Sequence, residues 1–230
     1  MSIQGNSETW REPFPPEEIP FILSAVLRCM NGERKKHELE KENDISLRLF
    51  NNLRCDSELL ARPVHPDLEI PEINNNASDS RLDIRYIYST GARHPWPEFA
   101  IEAKRLNVSF PSGWKSLISE YVTSNTSKPA EEEQGMMCFV SGRYSKGLRA
   151  GAMLGYVFDG NVNDAHKGIS EAIQQHAAKL RLKQGTTLQP SAIVPENSDI
   201  SESLHELPFL QEYAFHKDKT FVIYHLLVPV

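Results

Sequence analysis

The run "EFAIEAKRL", residues 98–106, sets Glu102 and Lys104 among apolar, strand-forming residues. Alternation along a strand sends Phe99, Ile101 and Ala103 to one face, and Ala100, Glu102 and Lys104 to the other. The carboxylate and the ammonium then share a face, about 7 Å apart along the strand. The preceding strand-like piece, "RLDIRYIYST" at 81–90, carries Asp83 between Leu82 and Ile84. Hairpin pairing of the two would set Asp83 beside Glu102. Two carboxylates brought together repel and hold their protons more tightly, and a divalent cation relieves that penalty. Magnesium takes oxygen ligands, favouring one or two carboxylates plus water and substrate phosphate, and manganese can substitute. A lysine two residues along orients or deprotonates a water, or neutralises charge developing on phosphate. Phosphodiester hydrolysis needs this set. The competing reading is a salt-bridged patch on a solvent-facing sheet.

Elements to position these groups follow from the pattern. "FILSAVLRCM" at 21–30 predicts a buried helix stopped near Asn31-Gly32. A second helix is expected across "KKHELEKENDISLRLFNNLRC", residues 35–55, with Ile45, Leu49 and Leu53 as its apolar stripe. Extended backwards, that stripe carries Glu42 and Glu38. A short strand within 58–80, the two strands around Asp83 and Glu102, and a helix over "SGWKSLISEYV" capped by Ser112 come next. "QGMMCFVSGRYSKGLR" predicts a further helix, "AGAMLGYVFDG" a buried strand, and "NVNDAHKGISEAIQQHAAKL" an amphipathic helix opened by Asn163 or Asp164. "TFVIYHLLVPV" closes the chain as a strand, while 183–218 has weak periodicity and receives no assignment. The order predicts an α/β fold with a mixed sheet flanked by helices. Residues 1–20 are expected to be an irregular, proline-rich arm, and 21–230 a single domain.

In these residues the chain resembles the PD-(D/E)XK, or restriction-endonuclease-like, nucleases. Their signature is an acid on one strand followed by an acid-any-lysine triplet on the next, which Asp83 and Glu102-Ala103-Lys104 match. Leu82 stands where the family's namesake proline would be. A second acid-any-lysine triplet, Glu33-Arg34-Lys35, lies in a charge run with no strand around it and is set aside. The resemblance covers roughly residues 36–158 and implies an α-β-β-β-α-β core. It further implies a Mg²⁺-dependent DNA endonuclease in which Asp83 and Glu102 hold the metal and Lys104 positions the attacking water. Glu42 or Glu38 would be the core-helix glutamate. A setting in bacterial defence against phage or in restriction, under control by a partner protein or through homo-oligomerisation, belongs to the same implication. A nuclease acting on RNA, and a non-catalytic binding or structural subunit with this fold, are the alternatives.

Arg143, Lys146 and Arg149, with Tyr144 among them, are candidates for gripping a nucleic-acid backbone, and Lys104-Arg105 and Lys115 would extend that surface. The plainer reading is an exposed helix end, where cations are favoured anyway. A net charge of −6 excludes coating of nucleic acid by overall charge but leaves room for a local basic cleft. Cys29, Cys55 and Cys138 are too scattered for a zinc site or a disulfide framework. With no secretion pattern and no membrane-spanning run, a cytoplasmic protein is expected. His205 and His225 share no ligand spacing with other residues, and His225 reads as a core or sheet-face histidine. Trp10, Trp96 and Trp114 read as packing residues, and Met136 and Met137 as core filling.

Overall fold

Helical and strand periodicities converge on one mixed sheet with helices against both faces. A computed structural model describes residues 14–68, 84–89, 97–123, 133–144, 148–194, 196, 199–207 and 219–230. In chain order its helices are α1 (Ile19–Met30), α2 (Glu42–Leu53), α3 (Ser57–Leu60), α4 (Ile118–Val122), α5 (Met136–Val140) and α6 (Val162–Gln175). The strands are β1 (Val64–Asp67), β2 (Ile84–Tyr88), β3 (Glu98–Leu106), β4 (Val108–Phe110), β5 (Gly113–Lys115), β6 (Ala150–Val157), β7 (Gln189–Pro190), β8 (Ile200–Glu206) and β9 (Thr220–Pro229). Seven of them form a sheet in the order β1-β2-β3-β6-β9-β8-β7, and β4 pairs with β5 separately. β3, β6 and β9 run parallel at the centre, flanked by antiparallel partners on each side. The expected α/β class is therefore present, as a mixed sheet flanked by helices. Among the described residues no helix is long and apolar enough to cross a membrane.

The strand alternation read from "EFAIEAKRL" holds. Phe99, Ile101 and Ala103 pack with α1 and α2 in one core cluster, whereas Ala100 and Leu106 belong to the cluster under α4, α5 and α6. Burial of such a row of side chains, at roughly 25 cal/mol per Å² of apolar surface, is what fixes the register of a central strand. A slip of one residue would turn Glu102 into the α1–α2 core.

Several expectations change. The lead-in expected to be irregular through residue 20 is already helical from Pro16, and Phe14 is buried with its ring 5.9 Å from that of Phe99. α2 opens at Glu42 instead of near residue 35, because residues 33–41 form turns held by side-chain bonds. Arg48 bonds Glu40, which is 2% exposed, and Glu33, while Glu40 also accepts from the Lys36 amide at 2.7 Å. The helix expected over 112–122 is a hairpin followed by a short helix. Pro111 and Ser112 form the two-residue turn between Phe110 and Gly113, and Leu117 has a left-handed φ of 56°. Ser112 is thus an exposed turn residue and no helix cap. α5 is one turn long, because Gly142 with φ of 87° ends it. α6 is capped by Asn161, not Asn163 or Asp164: its side chain accepts from the Asp164 amide at 3.3 Å.

Candidate active site

The β2–β3 pairing ends, among the described residues, at Ile84 opposite Ile101. Residues 102–106 of β3 keep β6 on one side, and the first turn of α2 comes up to the other. There Glu42 Oε2 accepts from the Arg105 backbone N–H at 2.9 Å, as a missing strand neighbour would. Its other oxygen, Oε1, accepts from Lys104 Nζ at 3.3 Å. Lys104 Nζ also donates to Glu102 Oε1 at 2.6 Å and to the Ala103 carbonyl at 2.8 Å. One ammonium thus joins a strand glutamate to a helix glutamate.

Glu102 is 3% exposed. Its Oε2 is buried with no hydrogen-bond partner, an arrangement that costs a carboxylate several kcal/mol unless something satisfies it. Burial pushes its pKa up to about 7; Lys104 pulls against that shift, Glu42 adds to it, and Arg143 draws it down. The salt-bridged patch considered from the sequence is thus present between Glu102 and Lys104, but it is buried and not solvent-facing. Glu102 and Lys104 are largely withdrawn from solvent at the notch where α2 meets β3.

Other charged groups border the notch. Glu120, on α4, has its pKa raised by burial and by Glu42, and drawn down by Lys104, Arg105 and Lys115. Sequence reasoning missed it, because a helix read over 112–122 put Glu120 on its polar face. On the far side, burial raises the Cys138 thiol to about 11, and Glu102 adds to that shift. Tyr144, whose pKa is also raised by burial and then by Glu102, packs edge-on against Phe139.

The remaining candidates fall as follows. Asp83 and Lys146 lie outside the described residues. Glu38 does not join the notch. It precedes α2, is exposed, and pairs with Lys35 at 3.2 Å, since no helical turn there carries the stripe back to it. Arg143 is exposed, donates to the Glu133 carbonyl at 3.2 Å, and contributes to the field at Glu102. Arg149 is half-buried just before β6, its carbonyl accepting from the Val222 amide at 3.4 Å. Arg105 turns its guanidinium to the Glu40 carbonyl at 3.1 Å, which ties it to the α2 approach and away from a shared surface with Arg143. Glu33, of the second triplet, bonds Arg48 and Asn52 in a turn region outside any strand.

Among the described residues no group of three or more His, Cys, Asp or Glu side chains is placed to hold a metal ion. The unpartnered Glu102 Oε2 nonetheless fits a hard cation: it is an anionic oxygen inside the notch with nothing donating to it. No protein-family model, curated protein or solved structure matches this chain.

Proposed function

We propose that the protein is a Mg²⁺-dependent endonuclease that hydrolyses DNA phosphodiester bonds, with a restriction-endonuclease-like core. The observation that carries this reading is Glu102, enclosed on β3 with one oxygen on Lys104 and the other without a partner. Chain order supports it: α2, then β1, β2 and β3 antiparallel in sequence, then α4 and α5, then β6 parallel to β3. With the one-turn α3 and the β4–β5 hairpin counted as insertions, that succession is compatible with α-β-β-β-α-β.

Glu102 would hold the cation through Oε2, with Asp83, next in the chain to the last paired residue of β2, as the second carboxylate. Bound Mg²⁺ supplies Lewis-acid stabilisation of phosphate charge and a more acidic water. Lys104, fixed by Glu102, Glu42 and the Ala103 carbonyl, sets a positive charge beside the attacking water and the phosphate. The longest of its three bonds, 3.3 Å to Glu42, is the one an N–H would leave to reach them. Glu42 keeps the ammonium in place and closes the open edge of β3. Arg143 adds positive charge beside the site for the incoming phosphate backbone.

Incubation of the purified chain with plasmid and with RNA, in Mg²⁺ or in EDTA, tests this. Plasmid should be nicked or cut in Mg²⁺ and remain intact in EDTA. Cleavage of RNA alone would make it a ribonuclease, and binding without cleavage would leave a non-catalytic subunit.

The two helix-side glutamates should separate in the same assay. Glu42→Gln is expected to lower the cleavage rate about tenfold or more, because Lys104 loses one anchor. Glu38→Gln should cleave like the parent. Equal effects from both would remove Glu42 from the mechanism.

Metal binding should depend on pH with a definite sign. A cation requires the ionised carboxylate, and Glu102 is largely protonated below about 7. The increase in Tm produced by Mg²⁺ should therefore be clear at pH 8 and nearly absent at pH 6. An equal increase at both would place the cation elsewhere.

A further inference from the structure

Among the described residues Trp114 is the aromatic side chain left most open, at 59% exposure, although a packing role is the ordinary fate of an indole. The hairpin that carries it is firmly built. Asn107, at a left-handed φ of 55°, turns the chain out of β3, and its amide closes the hairpin base on the Ser116 carbonyl at 3.0 Å. The Asn107 side chain donates to both Asp159 oxygens at 3.1 Å, and Val108 is fully buried. Register then sets Trp114 opposite Ser109, on the face away from Phe110. Phe110 itself lies beneath two cations, Lys115 at 5.5 Å and Arg105 at 5.8 Å from its ring.

This hairpin is the direct continuation of the strand that bears Glu102 and Lys104. Ser109 comes five positions after Lys104, at most about 17 Å of strand. Lys115 and Lys104 both belong to the electrostatic surroundings of Glu120. A rigid, solvent-facing indole on a hairpin whose opposite face carries Lys115 and Arg105, close in the chain to a phosphate-directed site, has the make-up of a base-stacking platform. A duplex hides its base faces in the stack, so away from an end the flat side of an indole engages an unpaired base without the cost of unstacking.

We propose that Trp114 stacks on an unpaired base of the substrate, so that the enzyme favours DNA with a single-stranded stretch next to the scissile bond. This rests on the nuclease reading for its substrate. The stacking itself is tested by binding alone.

The full chain carrying Trp10→Phe and Trp96→Phe retains Trp114 as its sole indole, since the sequence has three tryptophans. In EDTA, a short oligothymidylate should quench its fluorescence saturably, and an abasic oligonucleotide of equal length should not. In the native background, Trp114→Ala should weaken oligothymidylate binding about tenfold by anisotropy, leave the abasic strand unchanged, and be largely restored by Trp114→Phe. Equal quenching by the abasic strand, or wild-type affinity in Trp114→Ala, overturns the proposal. Stacking without plasmid cleavage would leave this inference standing and remove the nuclease reading. Cleavage of single-stranded DNA with an unchanged KM in Trp114→Ala would do the reverse.

Discussion

Lys104→Ala is expected to reduce Mg²⁺-dependent plasmid cleavage by about a thousandfold or more, with the far-UV spectrum and cooperative melt of the parent. The size follows from its position. Lys104 is 13% exposed and bonded to both Glu102 and Glu42, so its positive charge is fixed in place before any phosphate arrives. Glu102→Gln should produce a comparable loss for a different reason: the amide fills the same volume but cannot offer an anionic oxygen to a cation. Stability separates the two variants. Removing Lys104 leaves Glu102 buried without its counter-charge, which promotes protonation. Glu102→Gln removes a buried charge and should melt at or above the parent temperature near pH 8. Parent-like cleavage by either variant would end the proposed mechanism.

Acid should destabilise the protein, gently from pH 6.5 and steeply below 4.5, through a buried chain of polar groups on the other side of β6. His205 Nδ1 faces the Leu180 carbonyl at 2.8 Å, so this nitrogen carries the proton and Nε2 must accept. Ser203 Oγ, 2.8 Å from His205 Nε2, donates to it and accepts from His225 Nε2, also at 2.8 Å. His225 Nδ1 is then the acceptor for the Tyr121 hydroxyl at 3.1 Å. Each donor finds an acceptor only while both rings are neutral. A proton added to His205 would set the Ser203 hydroxyl between two donors.

Burial lowers the pKa of His205 from 6.5 to about 4 and that of His225 to about 3, the latter pushed further down by His205 and His166. Depressed histidines contribute stability that is complete above 6.5 and is lost as the pH falls toward 4 and then 3. Two such groups give a slope approaching 2.7 kcal/mol per pH unit. Glu102 acts in the opposite sense, because its raised pKa favours the folded state below 4.5 and withdraws that stability as the pH rises through about 7. The parent should therefore show a shallow decline between pH 6.5 and 4.5 and a steep one below. In Glu102→Gln the decline should be steep from 6.5 onward. Urea titrations across this range measure both slopes, and a flat profile from pH 7.5 to 4.5 would contradict the assignment. Ser203→Ala, which strands two ring nitrogens, should cost about 3 kcal/mol at pH 7.5.

The same chain explains what was hard to read from the sequence. β8 received no assignment because the positions it turns toward α6 and its following turn include Ser203 and His205. Their fitness for a core comes from partners distant in sequence, which periodicity cannot register. β3 was legible for the opposite reason: its apolar residues alternate cleanly, so Glu102 and Lys104 stood out against them. The hairpin at 108–115 had a local signal in Phe110-Pro111-Ser112-Gly113, but helical spacing of Trp114, Leu117, Ile118 and Tyr121 competed with it. Glu120 became visible only through the approach of α4 to β3. The start of α2 was misplaced because Lys35 through Lys41 has ordinary helix formers. Arg48 and the Phe158 carbonyl, which accepts from Lys35, hold that stretch in turns instead.

β9 is the last described strand in chain order, yet it lies between β6 and β8. On a ribosome, β6 must wait as an open, fully apolar ribbon until those ten residues emerge, and β3 leans on β6. The setting of Glu102 and Lys104 is therefore withheld from nascent chains, and an incomplete translation product should be sticky before the proposed site exists.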